Sequence, residues 1–133
     1  MDKTMNPNIS VVIPIYNSES ILPKLITRLT KSLQGICTNY EILLINDGSQ
    51  DESWDSIQKI IDKNMQVRGV NLRRNYGQHN ALLCGIRLAQ YDVIITMDDD
   101  LQHPPEEIHK LVQKLNEGYD VVYGIPAKLV HSN

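Results

Sequence analysis

Three consecutive aspartates, Asp98-Asp99-Asp100, close an apolar β-branched run at 92–97, and Gln102 lies two residues beyond them. Acids crowded in this way repel one another unless a cation or another partner offsets the charge. In an extended segment residues i and i+2 point to the same side, so Asp98 and Asp100 are expected to aim two carboxylates at one point, with Asp99 turned aside. Hard oxygen ligands suit Mg2+ or Mn2+, which keep several waters and bind substrate phosphates through one or two carboxylates. Gln102 offers a further, neutral oxygen. The competing role for an acid after a strand is to cap a turn or helix.

Three more polar clusters have the same placement, each directly after a β-branched run: Tyr16-Asn17 after 10–15, Asp47-Gly48-Ser49 after 41–46, and Arg73-Arg74-Asn75 after 67–72. Asp47 can accept hydrogen bonds from a base N–H or a ribose hydroxyl, or it can fold back as an Asx turn. A guanidinium of the arginine pair can grip a diphosphate bidentately, or simply be solvated. Gly77 lets the backbone nearby approach a ligand closely. Tyr16, following Pro14, can stack on a nucleobase or pack against the sheet end. The four histidines, His79, His103, His109 and His131, show no paired-ligand spacing; only His103, beside the acidic run, stands near this chemistry. There is no Gly-x-x-x-x-Gly-Lys loop and no Gly-x-Ser-x-Gly elbow, which excludes ordinary P-loop and serine-hydrolase chemistry.

A divalent ion at a diphosphate stabilises charge developing on a leaving group. Sugar transfer from a nucleoside diphosphate has that requirement. A hydroxyl acceptor would also need a base, whereas an acceptor phosphate, with a second pKa of about 6, would not. No base stands out in the sequence, which fits a phosphate acceptor and fits equally a base beyond residue 133.

The elements that must position these groups alternate between two hydrophobic periods. The four runs above, and a fifth at 120–123, read as strands. Between them, Leu22, Leu25, Ile26, Leu29 and Leu33 share one helical face, with Pro23 in the opening turn. Ser49 and Glu52 read as a capping box ahead of a stripe formed by Trp54, Ile57, Ile60 and Ile61. A third helix is expected to bury Ala81, Leu82, Gly85, Leu88 and Ala89. A fourth follows Pro104-Pro105 with Ile108, Leu111, Val112 and Leu115, stopping at Gly118. Alternating strands and helices of this kind imply an α/β fold with a mostly parallel sheet flanked by helices. In such a sheet the strands' carboxyl ends share one edge, and ligands bind there. The four clusters are therefore expected to meet in a single crevice.

Composition narrows the classes. A chain of 133 residues amounts to one domain, and its net charge of −3 gives no positive field for nucleic acid. No apolar stretch approaches the ~18–20 residues of a membrane span. Cys37 and Cys84 form no disulfide framework, and Met1-Asp2-Lys3-Thr4 begins no secretory segment, so reduced thiols in the cytoplasm are expected.

The segments 10–17 (SVVIPIYN), 46–49 (NDGS), 74–79 (RNYGQH) and 98–106 (DDDLQHPPE) resemble the inverting family 2 glycosyltransferases. Within that family the chain is most similar to the bacterial dolichol-phosphate-mannose-synthase-like branch, which includes the undecaprenyl-phosphate 4-deoxy-4-formamido-arabinose transferases. The resemblance implies a GT-A, Rossmann-like fold, a UDP- or GDP-sugar donor, a polyprenyl-phosphate acceptor and Mg2+ or Mn2+. It implies that Asp98, Asp100 and Gln102 hold the metal, the two aspartates also being catalytic. Pro14, Tyr16, Asn17, Glu19, Asp47, Arg74, Gln78 and Asp99 would then contact the nucleotide sugar. Two positions depart from the family pattern: Ser18 stands where relatives have Glu, with Glu19 one place later, and Asn46 stands where they often have a second Asp.

Such enzymes continue into acceptor-binding segments and membrane helices. The expectation is thus a tail at 1–9, the truncated donor-binding half of a GT-A domain at 10–126, and a second tail at 127–133. Membrane contact would come through the missing downstream segments, at the inner face of the cell membrane. The alternatives are transfer to a glycan hydroxyl, or a nucleotide-binding fragment without activity. A phosphorylation-receiver domain is discounted, because the acidic run follows the fourth strand and the fifth ends Tyr123-Gly124 without a lysine.

Overall fold

The computed structural model describes residues 7–102 and 104–116, the last two by their backbone alone. The fifth strand expected at 120–123, the helix stop at Gly118, His103, His131 and residues 127–133 lie outside the described residues. Four strands, β1 (Ile9–Ile15), β2 (Tyr40–Asn46), β3 (Val67–Asn71) and β4 (Val93–Thr96), alternate with four helices, α1 (Leu22–Gln34), α2 (Ser53–Lys63), α3 (Gln78–Leu88) and α4 (Ile108–Asn116). A short 3-10 turn, Pro105–Glu107, leads into α4.

Every strand pairing is parallel, and the order across the sheet is β3-β2-β1-β4. The central strands β1 and β2 are buried along their whole length, which is why they read as near-continuous apolar runs. Pro14 is tolerated in a central strand because of the register. The last pair between β1 and β4 is Val12↔Thr96, so an N–H at position 14 facing β4 would find no ladder partner.

The two faces of the sheet are covered unequally. Ile9, Val11, Ile13 and Ile15 of β1 point into the main core with Ile42 and Leu44 of β2, under α1, α2 and α4. The five apolar positions expected on α1 are all buried, and fully burying each Leu or Ile contributes about 1.5–3 kcal/mol. Ile57 is buried on α2, with Trp54, Ile60 and Ile61 packed partly buried beside it. Ile108 and Val112 are buried on α4.

The other face is a smaller cluster of Val12, Leu43, Ile45 and Ala81 under α3. That helix sits very close to the sheet: a Cβ on Gly85 would lie 2.3 Å from Val12 Cγ1. Its apolar face is narrower than its sequence suggests. Ala81 and Gly85 are buried, but Leu88 is 41% exposed, because no second helix among the described residues shares this face of the sheet.

The capping box expected at Ser49 does not form. Helix α2 begins at Ser53, four residues later, with no side-chain hydrogen bond from its N-cap Glu52. Asp51 takes over part of the role, its Oδ1 accepting from the Ser53 N–H at 2.9 Å.

At the amino edge of the sheet, the Glu41 carboxylate is 2% exposed and collects four donors. These are the Ser10 hydroxyl at 2.6 Å, Arg68 Nη1 at 2.7 Å, the Gln90 N–H at 2.7 Å and Gln90 Nε2 at 3.4 Å. Burial alone would raise its pKa, but the hydrogen bonds from Ser10, Gln90 and Arg68 outweigh that and hold it below the ordinary value. A buried charge persists here because it is fully partnered.

Candidate functional site

The carboxyl edge of the sheet carries a cleft of about 450 Å³ lined by Pro14, Tyr16, Asp47, Asn75, Gln78, Asp98, Asp99 and Asp100. Residues from the tips of all four strands therefore meet, as the parallel sheet requires. The strand order places the cleft where the chain reverses its direction of travel across the sheet, with β1 flanked by β2 on one side and β4 on the other.

The acidic run reaches the cleft by a different route from the extended alternation expected of it. Strand β4 stops at Thr96, and the chain turns through Asp99 and Asp100. Leu101 follows at φ 62° and packs against the main core. The turn sends the three carboxylates to different neighbours. Asp98 Oδ1 accepts from the Gln78 side-chain amide at 2.7 Å. Asp99 Oδ2 accepts from the Tyr16 N–H at 3.2 Å and from the Ser18 hydroxyl. Asp100 Oδ1 accepts from the Gln102 N–H at 3.1 Å. Asp99 is thus turned towards the β1 loop.

Asp47 is buried, 3% exposed, at the end of β2. Its two oxygens accept from the backbone N–H groups of Tyr76 at 2.7 Å and Gly77 at 3.1 Å, so it clamps the β3–α3 loop while bordering the cleft. Gly48 stands beneath that loop at φ 69°, where a Cβ would lie 2.3 Å from the Asn75 backbone nitrogen. Two constraints therefore hold one loop in place.

Asn17 and Glu19 have structural partners and are not among the residues lining the cleft. Asn17, at φ 52°, donates its N–H to Ser49 Oγ at 2.9 Å, and its Oδ1 accepts from the Gln50 N–H at 2.7 Å. Glu19 Oε1 accepts from the Glu52 N–H at 3.0 Å. Ser49 donates to Asn46 Oδ1 at 2.6 Å, and Asn46 Nδ2 donates to Asn71 Oδ1 at 2.8 Å. The bonds of Asn17 and Glu19 brace the β1 loop against the β2 loop, and the Asn46–Asn71 pair joins the ends of β2 and β3.

Arg74 is exposed and lies over the Tyr76 ring, 5.0 Å from its centroid, outside the cleft lining; Gln102 is likewise exposed and outside it. Asn75, a member of the third polar cluster to which no individual role was given, lines the cleft; its Oδ1 accepts from the Gly77 N–H at 3.0 Å. Its place directly after the arginine pair was the one available signal.

The donor set suits a hard divalent cation. Asp98 and Asp100 each keep a second carboxylate oxygen without a hydrogen bond among the described residues. Among those residues, no three His, Cys, Asp or Glu side chains form a ready-made metal cage. A cation held by two carboxylates takes its remaining ligands from water and substrate phosphates, the usual arrangement for Mg2+.

The family model described as "Glycosyl transferase family 2" matches residues 10–129. An undecaprenyl-phosphate 4-deoxy-4-formamido-L-arabinose transferase of Aeromonas hydrophila is 46% identical over 123 residues, covering 92% of this chain and 38% of that protein. The enzyme of the same name from Enterobacter sp. is 49% identical over 115 residues, covering 86% of this chain and 35% of that protein. The chain thus spans little more than a third of these curated relatives. Among solved structures, the mannosyltransferase PcManGT from Pyrobaculum calidifontis, in complex with GDP-Man and Mn2+, superposes with a TM-score of 0.71 at 16% identity, over 91% of this chain and 35% of that one. S. aureus TarS in complex with UDP-GlcNAc gives 0.64 at 20% identity, over 83% of this chain and 31% of that one. At these identities the two structures share the fold, a GT-A sheet with flanking helices.

Proposed function

Since the chain belongs to glycosyl transferase family 2, we propose that its cleft binds a nucleoside-diphosphate sugar and a divalent cation, for inverting transfer of the glycosyl group to a polyprenyl phosphate. One observation carries this reading: Asp98, Asp99 and Asp100 share a cleft with Pro14, Tyr16, Asp47, Asn75 and Gln78, all at the carboxyl edge of a parallel sheet. The acceptor class is supported by the relatives, both named as undecaprenyl-phosphate transferases. The structural neighbours bind GDP-Man with Mn2+ in one case and UDP-GlcNAc in the other, which supports a nucleoside-diphosphate sugar of either base.

In this reading Tyr16, 44% exposed at the rim, offers its ring to the base, with Pro14 beneath. Asp98 and Asp100 hold Mg2+ or Mn2+, which supplies charge stabilisation to the departing diphosphate. Asn75 presents its amide to the polar part of the donor, the Gln78 amide faces Asp98, and Asp99 keeps the β1 loop against the acidic turn. Gln102 and Arg74, at the margin, complete the contacts only if their side chains swing inwards on binding. A phosphate acceptor, ionised at neutral pH, attacks without a protein base. Among the described residues no helix is long and apolar enough to cross a membrane; in this reading membrane contact is made outside them. The cleft then works at the cytoplasmic face, where nucleotide sugars are supplied.

The test is calorimetric. UDP and GDP are titrated into the chain with Mn2+ and again with EDTA. Binding of one nucleotide is expected to be at least tenfold tighter with Mn2+ than with EDTA, and in the presence of Mn2+ to weaken at least tenfold in Asp100→Asn. Equal affinity with and without Mn2+, and in the variant, would remove the reading. Longer chains carrying the acceptor-binding part, assayed with polyprenyl phosphate against a glycan alcohol, separate the two acceptor classes.

A further inference from the structure

The side chain of Gln78 does something that its place in the cleft lining does not by itself imply. It stands at the first position of α3, and its Nε2 donates to Asp98 Oδ1 at 2.7 Å, across 20 residues of sequence. The backbone just before it is fixed independently. Asp47 accepts from Tyr76 and Gly77, and Gly48 packs under Asn75. A buried carboxylate at the end of β2 therefore anchors the loop that delivers Gln78 to β4.

We infer that Gln78 is a positioning residue for Asp98: its amide fixes the rotation of that carboxylate and leaves Oδ2 as the oxygen offered to the cation. This inference rests on the reading of the cleft as a metal–diphosphate site. The chemistry of the amide supports the assignment. A lysine or arginine here would hold the carboxylate equally well, but its positive charge would oppose a divalent ion nearby. A neutral donor orients without that competition. Asp98 has no other hydrogen bond among the described residues, so without the amide its side chain is free to rotate. Asp100 differs, being held within its own turn by the Gln102 N–H. Outer hydrogen-bond partners of metal ligands typically account for 10–100-fold in affinity.

The experiment uses the 133-residue chain and the variants Gln78→Met, which keeps the length and apolar volume but removes the donor, Gln78→Glu, and Asp100→Asn. Mn2+ binding is followed by electron paramagnetic resonance without nucleotide, and UDP and GDP binding is followed with EDTA present. Circular dichroism melting checks that each variant folds. The expected result is Mn2+ binding at least tenfold weaker in Gln78→Met, with metal-free nucleotide affinity within twofold of the parent. In Gln78→Glu, whose carboxylate carries no donor at neutral pH but adds charge beside Asp98, Mn2+ binding should fall less than in Gln78→Met, since the extra charge attracts the ion; an equal or larger loss would overturn the inference. Equal losses of Mn2+ and metal-free nucleotide would mean that Gln78 touches the donor directly, and would overturn the inference. Unchanged Mn2+ binding in Gln78→Met, with binding lost in Asp100→Asn, would also overturn it while leaving the cleft's function intact. Unchanged binding in all three variants would remove both.

Discussion

Replacing Gly48 by alanine tests how far the cleft depends on its loops being locked together. The new Cβ would lie 2.3 Å from the Asn75 nitrogen, 2.4 Å from the Arg74 carbonyl carbon and 2.9 Å from Asn75 Cα. All three atoms are backbone, so no side-chain rotation relieves the clash. Ordinary contact begins at 3.4 Å, and the β3–α3 loop must retreat by roughly an ångström to reach it. The left-handed backbone at φ 69° adds about 1–2 kcal/mol for a residue with a Cβ. Crowding adds about 1–3 kcal/mol more. The sum is a destabilisation of about 2–5 kcal/mol, read in urea from the transition midpoint at constant slope. The retreat also draws Tyr76 and Gly77 away from Asp47 and moves Asn75 and Gln78 out of register with the acidic turn. A misplacement of about an ångström can reduce function by about a hundredfold, so nucleotide affinity with Mn2+ should fall at least tenfold in protein that remains folded. A variant within about 0.5 kcal/mol of the parent, binding nucleotide equally well, would refute the interlock.

Glu41→Ala should destabilise the chain by about 2–3 kcal/mol, because it strands the buried Ser10 hydroxyl and the Gln90 N–H. Being at the opposite edge of the sheet, it should leave nucleotide affinity in folded protein unchanged; a shift in affinity would show that the two edges are coupled. Glu106 reports on acid stability. Its carboxylate takes a bidentate grip from Arg28, through Nε at 2.8 Å and Nη2 at 2.5 Å, and this holds its pKa at about 2 against an ordinary 4.5. A depressed carboxyl contributes stability above its unfolded value and loses it as pH falls through the folded one. The parent's advantage over Glu106→Gln should therefore be level above about pH 5 and vanish as pH drops from 4.5 towards 2. The pair is half exposed, so the effect is small, and an advantage that persists at pH 2 contradicts the assignment.

The sheet was legible because its signals are long and redundant. Strands β1 and β2 are seven residues long, mostly apolar and buried throughout, and the α1 stripe repeats five times. The shared rim followed from topology alone, since parallel strands leave their carboxyl ends together. Individual side chains were harder to read. Asn17 and Glu19 looked like ligand contacts, yet their partners are backbone N–H groups 33 residues away, and no local pattern encodes such pairs. Ser49 failed as a cap for a related reason: Asn46 and Asn17 compete for its hydroxyl and win. Asp47 carried both possibilities, and the fold decides between them by bringing the Tyr76 and Gly77 N–H groups to its two oxygens. The turn at Asp99–Asp100 escaped the period-two argument because β4 ends at Thr96, before the acids begin.

The cross-bracing of the rim has a thermodynamic meaning for any guest. Asn17, Glu19, Asp47 and Asp99 each tie one loop to the backbone of another. The conformational entropy of those loops is therefore surrendered when the chain folds, rather than when a ligand docks. Recognition at such a rim is close to rigid, and what remains to be ordered is a few terminal side chains, chiefly Tyr16, Arg74 and Gln102 at its margin.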